Sequence, residues 1–227
     1  MIGFGGQVRE VFRRELLVAW RGKARILGIG FFGIAVMLLF AVGGEAAGAR
    51  LTKSSAAYFI LAELLASTLL FALIFRIETE DEALEMLMML PISPSALFYG
   101  KALAATVLLG GLACVLAPVG VVLFGVGLVE PVWMLLTVCG LIVFGLAAPG
   151  TLYSALTARA PAQEIVLPLL YFPLLLPALL AGSRALTLVL TGDVMTQVPS
   201  WCYLLACFDI LYWVVCGLLF GRVVEGV

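Results

Sequence analysis

Six long apolar runs divide the chain, at about residues 26–44, 55–75, 102–128, 132–157, 165–183 and 201–221. Each is continuous over roughly twenty residues or more, the length a helix needs to cross the hydrocarbon of a bilayer. A barrel strand would instead alternate apolar and polar positions over about ten residues. Helices also satisfy their backbone groups within the segment, which lipid demands. The pattern predicts an all-α integral membrane protein with six transmembrane helices. Ahead of the first run, Val8, Val11, Phe12, Leu16, Ala19 and Trp20 recur three and four apart, with Arg9, Arg13, Arg14 and Arg21 off that stripe. Such a stripe predicts an N-terminal amphipathic helix lying in the membrane interface, its arginines among anionic headgroups. The same arginines also read simply as the basic flank that fixes topology.

The longest polar interruption falls between the second and third runs, where residues 76–101 predict a coupling loop. Glu78, Glu80, Asp81, Glu82 and Glu85 crowd its first half, while Leu84, Leu87 and Met88 lie three and four apart. Acidic residues at the start of a helix complement its dipole, so a short helix is predicted from Glu80 to Leu90, ended by Pro91. Ser93-Pro94 then supplies an N-cap with proline at the first helical position, restarting a helix that passes Lys101 into the third span. A Leu/Met face beside acids suits docking of a soluble partner. A solvated linker hugging the membrane is the alternative.

Composition agrees with lipid as the main solvent: 64% of the 227 residues are hydrophobic and the mean hydropathy is +1.20. Lys and Arg on alternate sides of the six runs number ten against three, which places both termini in the cytoplasm. The first run is long enough to span, so it reads as a retained helix rather than a cleaved signal. A net charge of -1 with no basic groove sets nucleic-acid binding aside. There is no His, no phosphate-binding loop and no clustered Cys, so neither a nucleotide site nor an imidazole ligand for haem or zinc is encoded. Cys114, Cys139, Cys202, Cys207 and Cys216 all lie in or beside apolar runs and read as small buried hydrophobes.

Two carboxylates fall inside spans, Glu63 in the second and Asp209 in the sixth. An ionised group there costs about 2.5–3.5 kcal/mol, which the surrounding Leu, Ile and Phe can offset, so insertion does not require a partner. They read either as a proton or substrate relay or as acids kept neutral at a helix interface. The fifth span carries Pro168, Pro173 and Pro177, which predict a kinked or broken, hinge-like helix; Pro118 and Pro149-Gly150 are milder versions in the third and fourth. Trp20, Trp133 and Trp201 sit near predicted span ends as an aromatic belt would, leaving Trp213 alone in mid-span.

The sequence Phe75-Arg76, Glu78, Asp81, Leu84-Glu85, Leu87, Leu90-Pro91 and then Lys101 resembles the signature stretch of cytochrome c maturation permease B, the haem exporter protein B family of type 2 ABC transporter permeases. The proline-spaced stretch from Leu167 to Gly182 resembles that family's fifth helix, and length and span number extend the likeness over nearly the whole chain. Glu82 departs from it, standing where the family usually has Gly. The resemblance implies a permease without an ATPase of its own, docking an ATP-binding subunit through Glu78, Glu80, Asp81, Glu82, Leu84, Glu85, Leu87, Met88 and Pro91. It further implies two permease and two ATPase chains, with ATP on the partner. A haem-handling membrane subunit and a periplasmic haem chaperone would complete the complex, with haem as cargo or as the chaperone's load. A permease for lipid, polysaccharide or drug shares the loop and remains open as an alternative. So does a proton-coupled transporter, which would need Glu63 and Asp209 to titrate.

Overall fold

The computed structural model describes residues 3–44, 49–80, 93–127, 129–157 and 163–225. These form seven helices: α1 (Phe4–Arg21), α2 (Lys23–Gly44), α3 (Ala49–Glu80), α4 (Pro94–Phe124), α5 (Val132–Thr157), α6 (Gln163–Thr191) and α7 (Val198–Glu225). Six of them, α2 to α7, are long and apolar enough to cross a membrane. The amphipathic stretch α1 is a separate helix, joined to α2 at Gly22, whose N–H bonds Val18 O at 3.0 Å.

Packing centres on α5, which touches α3, α4, α6 and α7; α2 packs against α1, α3 and α4. Lipid gives helices no hydrophobic reason to associate, so close approach through small residues matters more. Serine and threonine hydroxyls inside the spans, among them Thr106, Thr151, Ser154 and Thr187, bond the carbonyl of the preceding turn. Each thereby satisfies its own donor without a partner helix.

Several helix ends differ from those the apolar runs predict. The third span stops at Phe124 instead of residue 128, because Gly125 takes a left-handed conformation (φ 60°) and its N–H caps Val121 O. The fifth runs on to Thr191, where Gly192 (φ 96°) ends it, instead of stopping near residue 183. Ser183-Arg184 interrupts the apolar run but not the helix: Arg184 is exposed while Ala185, Leu186 and Val189 stay buried. The prolines do not break this helix, since Pro168, Pro173 and Pro177 all lie within it. Ser93 caps α4 as expected, its Oγ accepting from the Ala96 N–H at 3.4 Å with Pro94 at the first turn. Of the predicted coupling loop, residues 76–80 continue α3 and 94–101 begin α4, while the short helix expected between them lies outside the described residues.

Candidate functional site

Tyr171, Trp213, Phe71 and Asp209 converge on one stretch of α5, Phe144 to Gly150, which contains Pro149. Proline has no N–H, so the Gly145 carbonyl, four residues before Pro149, lacks its ladder donor, and carbonyls on either side of it accept donors from outside the helix. Two arrive from neighbouring helices. The Tyr171 hydroxyl of α6 donates to Leu146 O at 3.0 Å, three residues before Pro149, and the Trp213 indole N–H of α7 donates to Phe144 O at 3.0 Å. The same device recurs on α6, where the Tyr212 hydroxyl of α7 donates to Leu174 O at 2.6 Å, three residues before Pro177. The turns before Pro149 and Pro177 are thus stapled from α6 and α7, while Ser67 Oγ of α3 lies 3.5 Å from the Tyr171 hydroxyl.

Close backbone approach completes this centre. A Cβ on Gly150 would meet the ring of Phe71, which is fully buried and lies edge-on to Tyr171 with centroids 5.8 Å apart. A Cβ on Gly145 would meet the Asp209 carboxylate. Trp213, which the sequence leaves alone in mid-span, is an internal packing residue: it stacks on Phe144 at 4.2 Å and on Tyr99 of α4 at 6.2 Å.

Tyr99 leads from this centre to the start of α4, which is clasped by α1. Gln7 Oε1 accepts from both the N–H and the hydroxyl of Ser93 at 3.3 Å, and Phe4 lies edge-on to Tyr99 at 6.4 Å. A Cβ on Gly100 would collide with Val11, so the two backbones meet there. At the next residue, Lys101 Nζ donates to Glu15 Oε1 at 3.0 Å, with Lys101 only 2% exposed. Of the predicted α1 stripe, Val8, Val11, Phe12, Leu16 and Ala19 are buried or half-buried, but Trp20 is 78% exposed.

The residues singled out from sequence fare differently. Pro168, Pro173 and Pro177 share α6, and Pro177 lies at a stapled turn. Glu63 and Asp209 are both buried, and none of their carboxylate oxygens has a hydrogen-bond partner among the described residues. They lie on α3 and α7, which do not touch each other among the described residues. Glu78 and Glu80 fall in the last turns of α3, and Asp81, Glu82, Leu84, Glu85, Leu87, Met88 and Pro91 lie outside the described residues.

Sequence reasoning missed Gln7 and Glu15, whose partners are 86 residues away, and a second polar cluster at the opposite end of the bundle. There Glu130 Oε1 accepts the Asp193 N–H at 3.1 Å, and Asp193 Oδ2 accepts the Val198 N–H at 2.7 Å where α7 begins. That backbone hydrogen bond from Val198 holds the Asp193 carboxyl below its usual range. A residue pattern of Asp five positions before an apolar run is too common to have signalled it. Among the described residues no group of His, Cys, Asp and Glu is placed to hold a metal ion.

The family described as CcmB protein matches this chain over residues 7–225. No curated protein matches it.

Proposed function

Because the chain belongs to the CcmB family, the permeases of haem export in cytochrome c maturation, we propose that it couples ATP hydrolysis on a separate subunit to that task. Family membership makes it a membrane permease of cytochrome c biogenesis. The finer reading is mechanical. An ATP-binding subunit grips the cytoplasmic segment from Glu78 to Pro91 and moves it, and the motion reaches the stapled turns of α5 and α6. Two ATPases and a second permease copy complete the motor in the inner membrane. A haem-handling subunit and a periplasmic chaperone receive its output, as exported haem or as released haem-loaded chaperone.

One observation carries this reading: the clasp of α1 on the start of α4. Residues 81–92 connect the end of α3 to Ser93, and Ser93 is bonded to Gln7. A displacement arriving at Ser93 therefore moves α1 and α4 together, and Tyr99 passes it through Trp213 to Phe144 on α5. Packed aromatic side chains suit such transmission, because dense interiors shift between discrete arrangements instead of deforming smoothly. The separation of Glu63 and Asp209 onto helices that do not touch among the described residues favours this over direct proton transfer between those two acids.

Charge reversal of Glu82 and Glu85 combined with Leu87→Asp tests the docking assignment. The altered permease is expected to insert normally but to lose its ATP-binding subunit on purification. Recovery of that subunit at the wild-type ratio would overturn the assignment.

A further inference from the structure

A cleft opens where α1 turns into α2, walled by α3 and α4. Its polar lining is Arg25 and the paired Glu15 and Lys101, a net positive charge, and its apolar walls include Leu70, Leu73 and Leu108. The cleft lies at a definite level of the bundle. Lys23 and Ile74 bound the apolar lengths of α2 and α3 there, so the charged groups sit at the membrane interface and the apolar walls lead into the spans. Nothing in the permease mechanism uses this space.

We propose that the cleft binds one anionic phospholipid, its phosphate against the exposed Arg25 and the start of an acyl chain along Leu70, Leu73 and Leu108. Two features point to this chemistry. Charged groups at the mouth with hydrocarbon walls below match an amphiphile, and basic pockets between membrane helices at the interface are suited to acidic headgroups. Glu15 is held by Lys101 at 3.0 Å, so its negative charge is already offset when a phosphate approaches Arg25. The exposed arginines of α1, Arg9, Arg13 and Arg21, enrich anionic lipid around the mouth. A bound lipid would brace α1 against α3 as well as α4. The proposal stands independently of ATP coupling.

Native mass spectrometry of the full chain, released from vesicles of equal phosphatidylglycerol and phosphatidylcholine, tests it. Wild-type protein is expected to retain phosphatidylglycerol selectively. Arg25→Gln should lower that retention roughly fivefold, about what one basic side chain contributes at an anionic surface. Ala19→Trp, which fills the cleft, should lower it at least as much, whereas Arg9→Gln on the exposed face of α1 should not. Equal retention of the two lipids would overturn the proposal. So would an equal loss in Arg9→Gln and Arg25→Gln, which would mark diffuse attraction to the basic face of α1.

Discussion

Lys101→Met is expected to destabilise the protein by about 3–5 kcal/mol, the cost of removing one partner from a buried ion pair. The side chains of Lys101 and Glu15 are 1% and 11% exposed, so water can replace little of the lost interaction. An exposed pair would contribute only about 0–1 kcal/mol. The loss should be local in its first effect, because the pair joins α1 to α4 just inside the Gly100 contact. Adding Glu15→Leu to Lys101→Met should recover most of the stability, since an apolar pair of similar volume avoids the desolvation both charges suffer. Denaturant unfolding in detergent micelles measures both variants. A single-variant loss below about 1 kcal/mol would show that the pair behaves as a surface bridge.

Gly150→Ala is the second large expected effect. The added methyl must displace Phe71, which has no exposed surface and is hemmed in by Tyr171, so overpacking of about 1–3 kcal/mol is expected. Moving Phe71 also disturbs Tyr171, whose hydroxyl staples Leu146 O beside Pro149. Permease function should therefore fall further than stability alone explains. Phe71→Leu in the Gly150→Ala background should restore both, a non-additivity expected for side chains in contact. Unfolding midpoints and the yield of haem-loaded cytochrome c, compared across the four variants, measure it. Strict additivity would mean that Gly150 and Phe71 do not meet as the structure places them.

Much of the architecture was legible because lipid imposes a simple rule: where water is absent for twenty residues, a helix follows. Val132–Thr157 coincides with its apolar run, and Ser93-Pro94 starts a helix where cap chemistry says it should. Helix ends were read less well, because hydropathy reports the solvent and backbone conformation sets the end. Gly125 and Gly192 stop their helices by adopting positive φ, not by being polar. Arg184 passes unnoticed by the backbone because its side chain faces outward. The candidate centre was half visible. Three prolines in α6 drew notice to that helix, yet the most heavily stapled turn belongs to the single Pro149 of α5. No local pattern shows that Tyr171, Trp213 and Phe71 converge there from three other helices. The same limit hid Glu15, an acid on an otherwise ordinary amphipathic stripe, whose partner Lys101 lies across the bundle.

The central claim is that ATP binding on a partner subunit moves α5 about Pro149 relative to the clasped start of α4. Spin labels at Leu103 on α4 and Leu156 on α5, both exposed, report that motion directly in protein whose five native cysteines have been replaced. The measurement is the distance distribution between the two labels in the complex with its ATP-binding subunit. It is predicted to shift when ATP is trapped and to return with ADP. A distribution that stays the same in both nucleotide states, in a complex that still hydrolyses ATP, would contradict the account.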